Sequence, residues 1–141
     1  MDPIEGLVIE SELNRLVTTY CHLVDHGQAA RVAELFAEDG VWTSSEQTLV
    51  GRAEIARAFA RRQANAARIS RHVCTGMLAQ VHGPDRAEAV TYLTLYRHDS
   101  DPPRRVAPAQ APAIVGEYRD QFVRTPDGWR FRHREVVASF A

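Results

Sequence analysis

The chain is 141 residues long, 45% hydrophobic and nearly neutral, with a formal charge of −1 at pH 7. That length suits one domain with a core and room for a small pocket, and the charge gives no broad attraction to nucleic acid or to an anionic membrane surface. The two cysteines, Cys21 and Cys74, are too few for a disulfide framework, and all 17 basic residues are Arg, which reads as a GC-rich coding bias.

Asp2-Pro3-Ile4-Glu5 reads as a helix start, with an N-cap, a Pro at the first helical position and a Glu at the capping-box place. Leu13, Leu16, Val17, Tyr20, Leu23 and Val24 recur three and four apart, so one face of this helix is buried. The helix is expected to run to about Leu23, with Gly27 marking its end. A second, short helix is predicted from Gln28 to Ala37, stopped by Glu38-Asp39-Gly40. Val41–Thr43 and Gln47–Val50 read as a small hairpin, and Arg52–Ala67 as a third helix with Ile55, Ala58 and Phe59 inward.

The apolar period then changes from 3.6 to 2. Arg71–Val81 is predicted as a strand in which Val73, Thr75, Met77, Ala79 and Val81 alternate with His72, Cys74, Gly76, Leu78 and Gln80. Gly83-Pro84-Asp85 is a turn and Arg86–Arg97 the next strand. Residues 98–113 form a proline-rich loop, long for a hairpin connection and of the kind that often serves as a lid. Ile114–Arg124 and Trp129–Val137 are the last strands, joined by a Pro126-Asp127-Gly128 turn. Helices first and long antiparallel strands afterwards mean an α+β fold in a single domain, residues 1–141, with three helices packed on a curved, mostly antiparallel sheet. Such an arrangement leaves room for a cone-shaped cavity between the layers.

Two polar groups interrupt the end of the first helix's apolar stripe: the Tyr20 hydroxyl and the Asp25 carboxylate. A carboxylate beside an apolar stripe is costly unless it is paired. The partner the sequence offers is His72, in SRHVCTG. An Asp that accepts the Nδ1–H of a His fixes the ring tautomer and stabilises the imidazolium, which makes the His a general base. The opposed, purely structural reading is a satisfied pair between helix and sheet. Cys74 shares parity with His72 and reads as a small buried group at the cavity wall. Trp42 is a candidate cavity wall, whereas Phe59, Trp129 and Phe131 read as core. Among Arg130, Arg132 and Arg134, whose alternation also fits a solvated strand face, Arg134 is a candidate anion stabiliser. His22, His26, His82, His98 and His133 read as surface. There is no zinc-type Cys/His spacing, no glycine-rich phosphate loop and no dinucleotide-binding fingerprint, so neither a cofactor nor a metal is expected. With no signal peptide and no apolar run near ~20 residues, a cytoplasmic protein is expected.

Four stretches carry a family resemblance: YCHLVDHGQAARVAELFAEDGVW, GRAEIARAF, SRHVCTG and GEYRDQFVRTPDGWRFRHREV. Over nearly its whole length the chain resembles the SnoaL-like branch of the nuclear transport factor 2-like superfamily. The resemblance implies a cone-shaped α+β barrel. In motif the chain looks most like scytalone dehydratase, bile-acid dehydratase and hexachlorocyclohexane dehydrochlorinase, in which a His–Asp dyad removes a proton from carbon and a leaving group departs from the neighbouring carbon. Carried over, the Asp falls on Asp25, the His on His72, the helix-one Tyr on Tyr20, and the Arg that follows the DGW turn on Arg134. At Gly76 many relatives have Asn. A second acidic or His group on the following strand has no counterpart in AVTYLTLYR, where Tyr92, Thr94 or Tyr96 stands instead. The resemblance therefore implies a cofactor-independent lyase or isomerase acting on a small apolar or aromatic oxygenated molecule, with Trp42, Cys74, Tyr92 and Tyr96 at the substrate, and a homodimer or homotrimer. The alternatives on the same scaffold are a non-catalytic binding or assembly module, a dioxygenase small subunit, and polyketide cyclase or ketosteroid isomerase-like chemistry.

Overall fold

The computed structural model describes residues 1–141. Helix α1 (Pro3–Asp25) begins as its sequence dictates: the Asp2 carboxylate accepts the Ile4 N–H at 3.0 Å and Pro3 sits in the first turn. Ile9, Leu13, Leu16, Val17, Tyr20 and Val24 bury one face, and each fully buried aliphatic side chain contributes ~1.5–3 kcal/mol. Gly27 takes φ +79°, a conformation open to glycine, so Asp25 is the last helical residue.

The next segment departs from the expected helix. Ala29–Leu35 is a 3-10 helix, and β1 (Phe36–Thr43) passes straight through Glu38-Asp39-Gly40. Phe36 pairs with Phe131 in a parallel ladder. Gly40 permits that approach, since a Cβ there would lie 2.9 Å from the Ala37 carbonyl oxygen and 3.1 Å from that of Phe131. Pairing with a core strand overrides the local stop signal. β2 (Thr48–Val50) returns antiparallel to β1. Helix α2 (Arg52–Ala64) buries Ile55 and Phe59. It ends at Ala64, short of Ala67, because the Asn65 side chain accepts the Ala67 N–H at 3.2 Å.

β3 (Arg68–Val81), β4 (Arg86–Asp99), β5 (Ile114–Thr125) and β6 (Gly128–Phe140) follow. The six strands run in the order β2-β1-β6-β5-β4-β3, with only β1–β6 parallel. The sheet therefore curls without closing. The helices cover its concave face, and the core lies between them around Leu13, Val17, Ile55, Leu93, Phe122 and Phe131.

Two bulges decide which side chains face that core. In β3 the register slips between Thr75 and Leu78, and Gly76 takes φ +65°. Ser70, His72 and Cys74 face inward before it, Met77, Ala79 and Val81 after it. The uniform alternation expected for β3 is thus broken by one residue in the left-handed region, which Gly or Asn tolerates best. In β6 the register slips at Arg132, between the pairs Phe122–Phe131 and Gln121–His133. That slip turns Arg134 inward while Arg132 stays exposed. The loop 100–113 folds back on β4, where the Gln110 side-chain amide donates to the Arg97 carbonyl at 2.8 Å.

Candidate active site

Asp25, at the end of α1, meets β3 at Ser70 and His72. Its carboxylate accepts three hydrogen bonds: from Ser70 Oγ at 2.8 Å, from the His72 backbone N–H at 2.8 Å, and from His72 Nδ1 at 2.6 Å. Burial pushes the Asp25 carboxyl up, but the hydrogen bonds and charge of His72 outweigh it and hold the group below the ordinary carboxylate value. A carboxylate at Nδ1 requires a proton there, so the neutral ring presents an unprotonated Nε2. No protein group bonds to that nitrogen.

His72 lines a cavity of about 440 Å³, within the range of small-molecule sites. Its walls are mainly apolar, with Val24, Leu49, Phe59, Leu93, Leu95 and Val136 among them. Two phenols reach it, those of Tyr20 and Tyr118. Trp42, also in the wall, donates its indole N–H to the Tyr20 hydroxyl at 3.0 Å. An indole N–H can only donate, so Tyr20 is the acceptor there and keeps its own O–H for another partner. Burial pushes the Tyr20 hydroxyl up to about 12, although Arg134 pulls it back, and burial also raises Tyr118. Both phenols therefore stay protonated and able to donate. An unprotonated imidazole nitrogen facing neutral donors across an apolar cavity is equipped to move a proton off carbon and stabilise the resulting oxyanion.

A family model described as a SnoaL-like domain matches residues 7–135. The chain belongs to the SnoaL-like domain family. Among solved structures, an NTF2-like protein with a cystatin-like fold from Novosphingobium aromaticivorans is 28% identical, with a TM-score of 0.80 over 96% of this chain and 85% of that one. A protein provisionally assigned as a scytalone dehydratase, from the same organism, is 16% identical with a TM-score of 0.84, over 99% and 89% of the two chains. The hexachlorocyclohexane dehydrochlorinase of Novosphingobium barchaimii is 14% identical with a TM-score of 0.79, over 99% and 92%. At those identities the last two share the fold. No curated protein matches the sequence.

This SnoaL-like domain brings Asp25, His72, Tyr20 and Trp42 together, and it does not bring Arg134, Cys74, Tyr92 or Tyr96 to the cavity wall. Arg134 is fully buried behind the site. Its Nε and Nη2 donate to the Asp120 carboxylate at 2.8 and 3.2 Å. Its guanidinium carbon lies 3.5 Å from the Tyr118 ring centre, 4.2 Å from that of Tyr20 and 4.5 Å from that of Phe131. Burial disfavours the charge, yet Asp120 and the phenols outweigh it and hold Arg134 above its ordinary value. Cys74 turns under α1, where its sulfur lies 3.5 Å from that of Cys21. Tyr92 and Tyr96 lie on the outer face of β4, because Leu93 and Leu95 take the inward positions. His22 and His26 stack on each other at the surface.

Three site residues escaped the sequence reading. Ser70 has the parity of His72, the one signal that could have found it. Tyr118 sits in a strand whose inward set, Tyr118, Asp120 and Phe122, mixes polar with apolar groups. Arg62 lies outside the inward stripe read for α2, and its Nη2 donates to Ser70 Oγ at 3.0 Å. The loop 98–113 contributes nothing to the cavity wall. No group of three or more His, Cys, Asp or Glu side chains is placed to hold a metal ion, and no helix is long and apolar enough to cross a membrane.

Proposed function

We propose that the protein is a cofactor-independent lyase that eliminates water from a small, mostly apolar hydroxy-carbonyl compound. The observation that carries this reading is the Asp25–His72 contact at 2.6 Å with His72 Nε2 left free at an apolar cavity. In the reaction His72 Nε2 takes the proton from the carbon next to the carbonyl. Tyr20 and Tyr118 donate to the carbonyl oxygen as it becomes an enolate. The electron pair of the broken C–H bond forms the new C=C bond, the C–O bond at the neighbouring carbon breaks, and the proton on Nε2 leaves with the hydroxide as water. Asp25 holds the ring and offsets the positive charge it gains. General-base assistance of this kind contributes about 10²–10⁴-fold. Membership of a family whose solved neighbours include a hexachlorocyclohexane dehydrochlorinase supports an elimination.

The test is a screen of β-hydroxy ketones for enone absorbance, with wild type, His72→Gln and Asp25→Asn compared. Activity in wild type that disappears in His72→Gln supports the lyase. Tight binding of the same compounds with no turnover and no exchange of the α-proton in D₂O sinks it in favour of a binding module. We further propose that the outer sheet face, where Val73, Val90, Tyr92 and Tyr96 are exposed, packs against a second copy of the chain. Sedimentation of wild type against Tyr92→Arg tests this, with a shift toward monomer expected.

A further inference from the structure

The cavity has a polarity that the proposed elimination does not use. Its inward residues on β3 run Ser70, His72, Cys74, and these pair across the ladder with Arg97, Leu95 and Leu93. Toward Cys74 the site ends in Tyr20, Tyr118 and the buried Arg134. Toward Ser70 it ends in guanidinium groups: Arg62, Arg68 and Arg97 all line the cavity. Arg68 is matched, by two hydrogen bonds to Asp99 at 2.8 Å each. Arg62 bonds to no carboxylate directly: its one hydrogen bond goes to the Ser70 hydroxyl, which itself donates to Asp25, and Asp25 and Asp99 act on its charge only from a distance. Arg97 has no side-chain partner and forms no ion pair, although it stands beside Asp99 closely enough to help Arg68 hold that carboxyl below its ordinary value. The only acidic residue of the wall, Glu46, pairs with none of them. Two guanidinium groups therefore stand without a directly bonded carboxylate at one end of a mainly apolar cavity, and Arg62 is half-buried there. Two such guanidinium groups, one half-buried and one exposed, are matched best by a planar carboxylate, which takes parallel N–H bonds.

We infer that the ligand of this cavity is an apolar acid, whose carboxylate is held by Arg62 and Arg97 while its apolar body extends past His72 toward the two phenols. This deepens the lyase reading and rests on the same cavity being the substrate site. Its spacing follows from the strand. Arg97 pairs with Ser70, two residues from His72, so the strand positions carrying the guanidinium and the imidazole lie on the order of 7 Å apart along the cavity. That spacing suits an acid whose carboxylate is set apart from the reacting carbon. Neutral compounds of the same shape leave the two guanidinium groups unanswered and bind more weakly.

Binding of non-reacting probes tests this without turnover. 2-Naphthoate and 2-naphthamide, of nearly equal size, are titrated by calorimetry against wild type, Arg62→Gln, Arg97→Gln and His72→Gln at low salt. Wild type is expected to prefer the acid by about tenfold or more, and the preference is expected to shrink as salt is raised. Arg97→Gln, at an exposed position, keeps the fold and loses most of the preference, as does Arg62→Gln. His72→Gln keeps it, so failure of the lyase reading and failure of this one are separable. Equal or tighter binding of the amide, a preference that survives both Arg substitutions, or no measurable binding of the acid overturns the inference. Tighter binding of 2-naphthyl phosphate than of the acid overturns the carboxylate and makes the site a phosphate binder.

Discussion

Asp25 carries more of the site than any other single residue, because one carboxylate satisfies the backbone and ring of His72 and the hydroxyl of Ser70 at once. Asp25→Asn keeps the shape but replaces an acceptor oxygen with an amide and removes the charge that offsets an imidazolium. Turnover in the proposed elimination is expected to fall by about 10²–10⁴-fold with little change in KM, as steady-state kinetics would show. The same residue has a pH signature. Its folded-state carboxyl lies below the ordinary value, so the native state binds fewer protons than the unfolded chain around that pH. The stability it contributes is complete above the unfolded carboxylate value, ~3.9, and is lost as pH falls through the lower folded value. Urea unfolding across acid pH is expected to show the gap between wild type and Asp25→Asn closing as the medium is acidified. A gap that stays constant to the lowest pH would separate Asp25 from the acid response.

At the level of elements, the bulges aim the site. Gly76 resets β3 so that His72 and Ala79 both serve the concave face, and its φ of +65° is what permits this. A Cβ there would meet only the Tyr92 ring, at an ordinary 3.5 and 4.0 Å, so the cost of substitution is conformational. Gly76→Val is expected to lower stability by ~1–2 kcal/mol or more, and Gly76→Asn by clearly less. Thermal unfolding of the two variants measures the difference, and equal losses would remove the argument. Helices α1 and α2, the four long strands of the second half and the Asp25–His72 pairing were legible because each depends on a local period or on a charge that needed a partner. The facing of Arg134 was not, because a one-residue slip leaves alternation intact on either side while reversing its sense; that of Tyr92 and Tyr96 was not, because both faces of β4 carry large apolar side chains, Val90, Tyr92 and Tyr96 on one and Leu93 and Leu95 on the other. The strand through Gly40 was illegible for a different reason: it exists through its parallel pairing with β6, a contact 95 residues distant at Phe36–Phe131.

Across the whole molecule, the buried Asp120–Arg134 pair joins stability to the site. Tyr20 belongs to α1, Tyr118 and Asp120 to β5, and Phe131 and Arg134 to β6, so one guanidinium ties the helical layer to the centre of the sheet. Removing only the acid leaves a buried cation without its counter-ion, and Asp120→Ala is expected to cost ~3–5 kcal/mol. Replacing both charges, as in Asp120→Leu with Arg134→Met, removes the desolvation burden together with the attraction, and unfolding is expected to show most of that stability restored. Activity is expected not to return with it. Arg134 pulls the Tyr20 hydroxyl down against its burial, so its loss raises the phenol further and weakens it as a donor to an oxyanion. The diagnostic result is a double variant that is folded and stable, binds substrate with an unchanged KM, and turns over slowly. A double variant with wild-type kcat would mean that the pair serves the fold alone.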